Sequence, residues 1–138
     1  MQDRTRILHL TDLHLRQALA GTAKRPERLS RDMPAVLGRL AGRIDALGAD
    51  VVVLSGDLLD IQDEYIDGTN TDPDWRAETA AASVADYRLF RDLLENLGRP
   101  FVAVPGNHDD TALFDTAFAD QVPLRDVAGL RFVCFRDD

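Results

Sequence analysis

The run DVVVLS at residues 50–55 constrains the fold more than any other stretch of the chain. Its centre is three valines and a leucine with no polar residue between them. A strand that is apolar on both faces needs cover on both, the mark of a parallel strand inside an α/β sheet. GDLLD follows at 56–60 without a break, so two carboxylates sit just past the carboxyl end of that strand. Two other runs repeat the arrangement. RILHL at 6–10 leads into Thr11 and Asp12, and PFVAV at 100–104 leads into GNHDD at 106–110.

Helical patterns separate these strands. The first runs from about Ser30 to Leu47, with Ser30 or Asp32 as N-cap and Pro34 in the first turn, where a missing N–H costs little. Met33, Leu37, Leu40, Ile44 and Leu47 mark its apolar face, and Gly48 closes it. The second opens on Asp72-Pro73, an N-cap followed by proline at the first helical position. It continues to Leu97, with Val84, Tyr87, Phe90, Leu93, Leu94 and Leu97 toward the core, and Gly98 and Pro100 stop it. Residues 16–28 and 62–71 are polar and aperiodic and read as loops. A short helix over 110–119 and a hairpin from about Leu124 to Phe135, turning near Ala128 and Gly129, complete the pattern. The order β-α-β-α-β-α-β-β predicts an α/β fold, a mostly parallel sheet with flanking helices, in one domain spanning residues 1–138.

Composition narrows the setting. Hydrophobic residues make up 45% of the 138, enough for a packed core. Cys134 is the only cysteine, so neither an internal disulfide nor a thiolate metal cluster can form within the chain. The apolar runs are strand-sized and the amino terminus has no signal-like core, so a cytoplasmic location without a membrane span is the expectation. The net charge of −8 repels nucleic-acid phosphates. A phosphate-bearing ligand would need a local positive charge, and a bound cation could supply it.

In an open parallel sheet the carboxyl ends of neighbouring strands share one edge, where ligands bind. Asp12, His14, Asp57, Asp60, Asn107, His108 and Asp109 would meet there. Without thiolates, such a mixed oxygen and nitrogen set suits Mn, Fe or Zn. Two ions roughly 3.5–4 Å apart can clamp a phosphate and acidify a water whose hydroxide attacks phosphorus in line. An imidazolium nearby can protonate the leaving oxygen. Taken singly, each residue has a plainer reading. Asp12, Asp57 and GNHDD could be turns, His14 a surface histidine, and Asp60 a cap or a solvated acid. His9 alternates away from the edge and reads as structural. Asp63, Glu64, Asp67, Asp72 and Asp74 read as a solvated loop, and Asp109 and Asp110 as the start of the next helix.

DLH at 12–14, GDLLD at 56–60 and GNHD at 106–109 resemble, in order and in strand context, the first three motifs of the calcineurin-like metallophosphoesterases. ILHLTDLHL at 7–15 is similar to bacterial members of the cyclic-nucleotide phosphodiesterase type. The resemblance implies an α/β/β/α sandwich, of which this chain covers the N-terminal half. It also implies hydrolysis of a phosphomonoester or phosphodiester at two divalent metal ions. Asp12 and His14 would bind the first metal, Asp57 would bridge both, and Asn107 would bind the second. His108 would serve as general acid or stabilise the transition state, with Asp60 orienting it. Gly56 and Gly106 would let the backbone turn tightly beneath the metals.

The family's later histidines are missing: His9, His14 and His108 are the only ones here. The resemblance therefore implies an incomplete catalytic domain, with weak or no activity alone, or a second chain or copy that completes the site. Ile61 stands where protein phosphatases of the superfamily carry arginine, which disfavours that branch. A small phosphate ester such as a cyclic nucleotide is then the expected substrate, and nucleic acid is not. Two alternatives stand beside it. One is a protein-binding module on the same scaffold without catalysis. The other is a metal-free nucleotide-binding domain, which lacks any glycine-rich phosphate loop.

Overall fold

The computed structural model describes residues 4–22, 25–121 and 123–136. The valine-rich run forms β2 (Val51–Ser55), the central strand of a three-stranded parallel sheet. It lies between β1 (Ile7–Leu10) and β3 (Phe101–Val104). Leu10 is in register with Leu54, and Ser55 with Val104. All three strands therefore run out at the same edge, and the α/β class with a parallel sheet and flanking helices is what the structure shows.

The residues that alternate along these strands sort into two faces. Leu8, Leu10, Val52, Leu54, Phe101 and Ala103 join the main core. Against them pack Leu37 of α1 (Met33–Ala41), Ile44 of α2 (Ile44–Leu47), Tyr87, Phe90 and Leu94 of α4 (Pro73–Glu95), and Phe114 and Phe118 of α5 (Thr111–Phe118). The Phe114 and Phe118 rings stack at 4.7 Å, and Tyr87 meets Phe114 edge-on at 5.8 Å. On the other face, Val51 and Val102 are covered by Val127, Phe132 and Cys134 of the C-terminal hairpin. That hairpin pairs β4 (Leu124–Val127) with β5 (Leu130–Val133). It turns where expected, through Ala128 (φ 51°) and Gly129 (φ 79°), the doubly left-handed turn that matches strand twist. Ile7, on the same face of β1, stays 48% exposed.

Three local expectations are corrected. The helix predicted over 30–47 is broken. It begins as a 3₁₀ turn, Ser30–Asp32, continues as α1, and breaks at Gly42 and Arg43 before α2. Glycines at 38 and 42 weaken helical preference. At the break, the Arg43 N–H bonds only three residues back, to Leu40 O at 2.9 Å. The last turn is rotated, so Leu47 faces solvent at 50% exposure instead of the core. Asp32 occupies the N-cap position without a side-chain cap bond. Within the loop expected over 62–71, Asp63–Ile66 forms a single helical turn, α3. Within that over 16–28, Pro26–Arg28 forms a 3₁₀ turn, and residues 23 and 24 lie outside the described residues. By contrast, α4 starts as expected, with the Asp72 carboxylate accepting the Trp75 N–H at 2.9 Å.

Candidate metal centre

Main-chain pairing between β1 and β2 does not stop where the strands do. His14 N–H donates to Asp57 O at 2.9 Å, Leu15 N–H to Leu58 O at 2.8 Å, and Asp60 N–H to Leu15 O at 3.1 Å. The segment carrying Asp12 and His14 is thus laced to the one carrying Asp57 and Asp60. The turn after β3 joins them through side chains. His108 N–H donates to Asp57 Oδ1 at 3.1 Å. A Cβ on Gly106 would collide with Asp57 and would lie 2.7 Å from Gly56 Cα, so this close approach requires glycine.

Asp109 fastens the second and third turns. It is buried, and it accepts the N–H groups of Leu58 (3.0 Å), Leu59 (3.1 Å) and Gly106 (2.8 Å) and the Tyr87 hydroxyl (2.8 Å). Burial pushes its carboxyl above the ordinary value, and these four donors oppose the shift. Its expected role at the helix start is therefore corrected. Asp110 caps α5, accepting Leu113 N–H at 2.9 Å. A further carboxylate, Asp86 of α4, is buried and accepts the N–H groups of Gln17, Ala18 and Leu19. It pins the chain just beyond His14.

Within this frame Asp12, His14 and Asp57 converge. One ligand atom from each lies within 4.8 Å of the others. His14 Nε2 is 3.6 Å from Asp57 Oδ2 and 3.9 Å from Asp12 Oδ1. All three residues have left-handed backbone, at φ 56°, 47° and 51°. For side chains other than glycine such conformations cost of order 1–3 kcal/mol each, and they collect where function demands them. Two carboxylates and an imidazole nitrogen aimed at one point suit a divalent cation that accepts oxygen and nitrogen donors.

Burial holds the His14 imidazole below its ordinary value, and the Arg28 charge adds to this against Asp57. A neutral ring is the form that ligates metal. The same shift sets a sign for stability. The folded chain resists protonating His14 while the unfolded chain does not, so this contribution is complete above the ordinary value of 6.5 and is lost as pH falls through the folded value. Melting in EDTA at pH about 7.5 and about 5.5 should show a fall in Tm on acidification, and His14→Gln should reduce that fall.

The other expected residues take distinct places. Asn107 is exposed in the turn after β3, beside His108. The His108 ring is 5.2 Å from that of His14, edge to face. The carboxylate beside the His108 ring is that of Asp63, 3.6 Å from Nδ1, and not that of Asp60. Asp63 was expected among the solvated acids, and the helical turn of α3 presents it here. Asp60 is buried between two arginines: Arg16 Nε donates to Oδ2 at 3.1 Å and Arg28 to Oδ1 at 2.7 Å. Its Oδ1 lies 3.9 Å from His14 Nδ1. His9 meets Ser55 Oγ at 2.6 Å, away from the cluster.

The carboxyl edge of a parallel sheet thus carries a cluster of acids and imidazoles. The model of the calcineurin-like phosphoesterase family matches residues 5–137, and the chain belongs to that family. Its members are typically hydrolases of phosphate esters that use divalent metals, and Asp12, His14 and Asp57 form the corresponding candidate site. No curated protein matches the chain. Among the described residues, no helix is long and apolar enough to cross a membrane.

Proposed function

We propose that the chain is the metal-binding platform of a phosphodiesterase acting on small diesters, cyclic nucleotides among them. The convergence of Asp12, His14 and Asp57, all in left-handed backbone, carries the reading. These three would hold one divalent ion, with manganese the first choice. Asp57 and Asn107 would serve a second. Bound there, such ions supply Lewis acidity toward the phosphoryl oxygens and acidify an attacking water.

The protein's own groups do the rest. Asp57 is held by the His108 N–H, so its free oxygen keeps a fixed direction. His108 would pass a proton to the departing oxygen, with Asp63 facing its Nδ1 and restraining the ring. The net charge of −8 favours a small ester over a polyanion.

The test is uptake of Mn²⁺ by the purified chain, followed by hydrolysis of bis(p-nitrophenyl) phosphate. Binding is expected, with turnover that is slow and absent in EDTA. Turnover is expected to be slow because this reading gives the second ion only Asp57 and Asn107 as donors among the described residues. A chain that takes up no divalent ion refutes the reading.

A further inference from the structure

His14 has two ring nitrogens, and the candidate centre uses only one. Nε2 faces Asp57 and Asp12. Nδ1 is buried and has no hydrogen-bond partner. If Nε2 ligates a cation, the ring proton must sit on Nδ1, and a buried N–H without an acceptor is costly. The carboxylate oxygen facing Nδ1 is Asp60 Oδ1, 3.9 Å away. A movement of about 1 Å would bring the pair into hydrogen-bond range.

Asp60 is itself firmly placed. Arg16, 4% exposed, grips it with Nε and Nη2 and also donates to its main-chain carbonyl. Arg28 holds Oδ1, and Ser30 Oγ lies 3.5 Å from Oδ2. Two guanidinium groups hold the carboxylate in place without fixing it to His108. The chain from arginine to carboxylate to imidazole to cation is the arrangement that orients a ligating histidine and raises its basicity.

We infer that Asp60 is a positioning residue for the metal ligand His14, anchored by Arg16 and Arg28, and is not the partner of His108. The inference rests on the metal-site reading above. Asp63 takes the place at His108. The two acids, three residues apart, would thus serve two different imidazoles.

Calorimetric titration with Mn²⁺ alone tests this without any need for turnover. Asp60→Asn should weaken Mn²⁺ affinity about 10–100-fold, the usual effect of removing a carboxylate behind a ligating histidine. Glu64→Gln removes the same charge in the adjoining turn, at a residue outside the site, and should leave Mn²⁺ affinity unchanged. Equal affinity for Asp60→Asn and the unaltered chain overturns the inference while leaving the metal site intact. If the unaltered chain binds no Mn²⁺, the site itself falls, and this role of Asp60 with it. Because Asp60→Asn also removes the counter-charge of Arg16 and Arg28 and could prevent folding, the unaltered chain loaded with Zn²⁺ provides a second measurement. Its His14 Nδ1 proton should appear downfield and slow to exchange in the NMR spectrum. Exchange as fast as that of free imidazole overturns the inference.

Discussion

A chain carrying Asp109→Ala is expected not to fold. Four donors converge on this carboxylate, three from the main chain and one from Tyr87. Alanine leaves all of them buried without an acceptor. Each such loss costs about 1–3 kcal/mol, and the stability of a domain is only about 5–15 kcal/mol. Asparagine should be far milder, and the reason is geometric. Its oxygen can take the place of Oδ2 and keep the Leu58 and Gly106 N–H groups. Its NH₂ then takes the place of Oδ1, where the Tyr87 hydroxyl can rotate to accept from it. Only the Leu59 N–H is left opposed. One lost bond of about 2 kcal/mol would lower Tm by roughly 6–10 °C in a chain of this size. Circular dichroism melts of the two variants check this. An Asp109→Ala chain that melts cooperatively near the original temperature would show that the clamp is dispensable.

Asp57→Asn should do the opposite, sparing the fold and destroying the site. The substituted amide can still accept the His108 N–H with its oxygen. The left-handed backbone at φ 51° suits asparagine at least as well as aspartate. Removing a charge next to Asp12 also relieves repulsion, so metal-free Tm should hold or rise slightly. The NH₂ group, however, now faces the point where His14 Nε2 and Asp12 converge, and it cannot ligate. Mn²⁺ affinity should fall by more than the roughly 10–100-fold typical of residues behind the ligands, and metal-dependent turnover should vanish. Calorimetry and melting on the same sample separate the two effects. A joint loss of stability and affinity would mean that Asp57 acts mainly in the fold. Unchanged Mn²⁺ affinity would remove it from the site.

The strands and the shared edge were legible because DVVVLS admits one reading and because each polar cluster follows a strand directly. Asp12, His14 and Asp57 could be picked out for the same reason. The long helix from Pro73 was legible through its Asp-Pro start. Other features depend on distances that no local pattern encodes. Asp63 lay in a polar stretch whose single helical turn has no apolar face to announce it. Asp109 looked like one more acid before a helix, yet the third turn folds it inward beneath Leu58 and Leu59. Asp86 had a readable sign, since it falls among Ser83, Tyr87 and Phe90 on the buried side of α4, where an acid is out of place. Arg16 and Arg28 sit in a loop with no periodicity, and only the folded chain brings them to Asp60. The break at Gly42 was masked by a spacing of apolar residues that ran straight through it.

The parallel ladder that continues past β1 and β2 has a consequence for anyone wishing to alter this protein. Positions 12, 14 and 57 owe their placement to amide and carbonyl groups, which every substitution except proline retains. The ladder should therefore survive a new donor such as a thiolate at 12, at the cost of a left-handed backbone that suits aspartate better, whereas at 57 the bond from His108 would be lost as well. The site's preference among cations could be rewritten by exchanging side chains upon a ready-made mount.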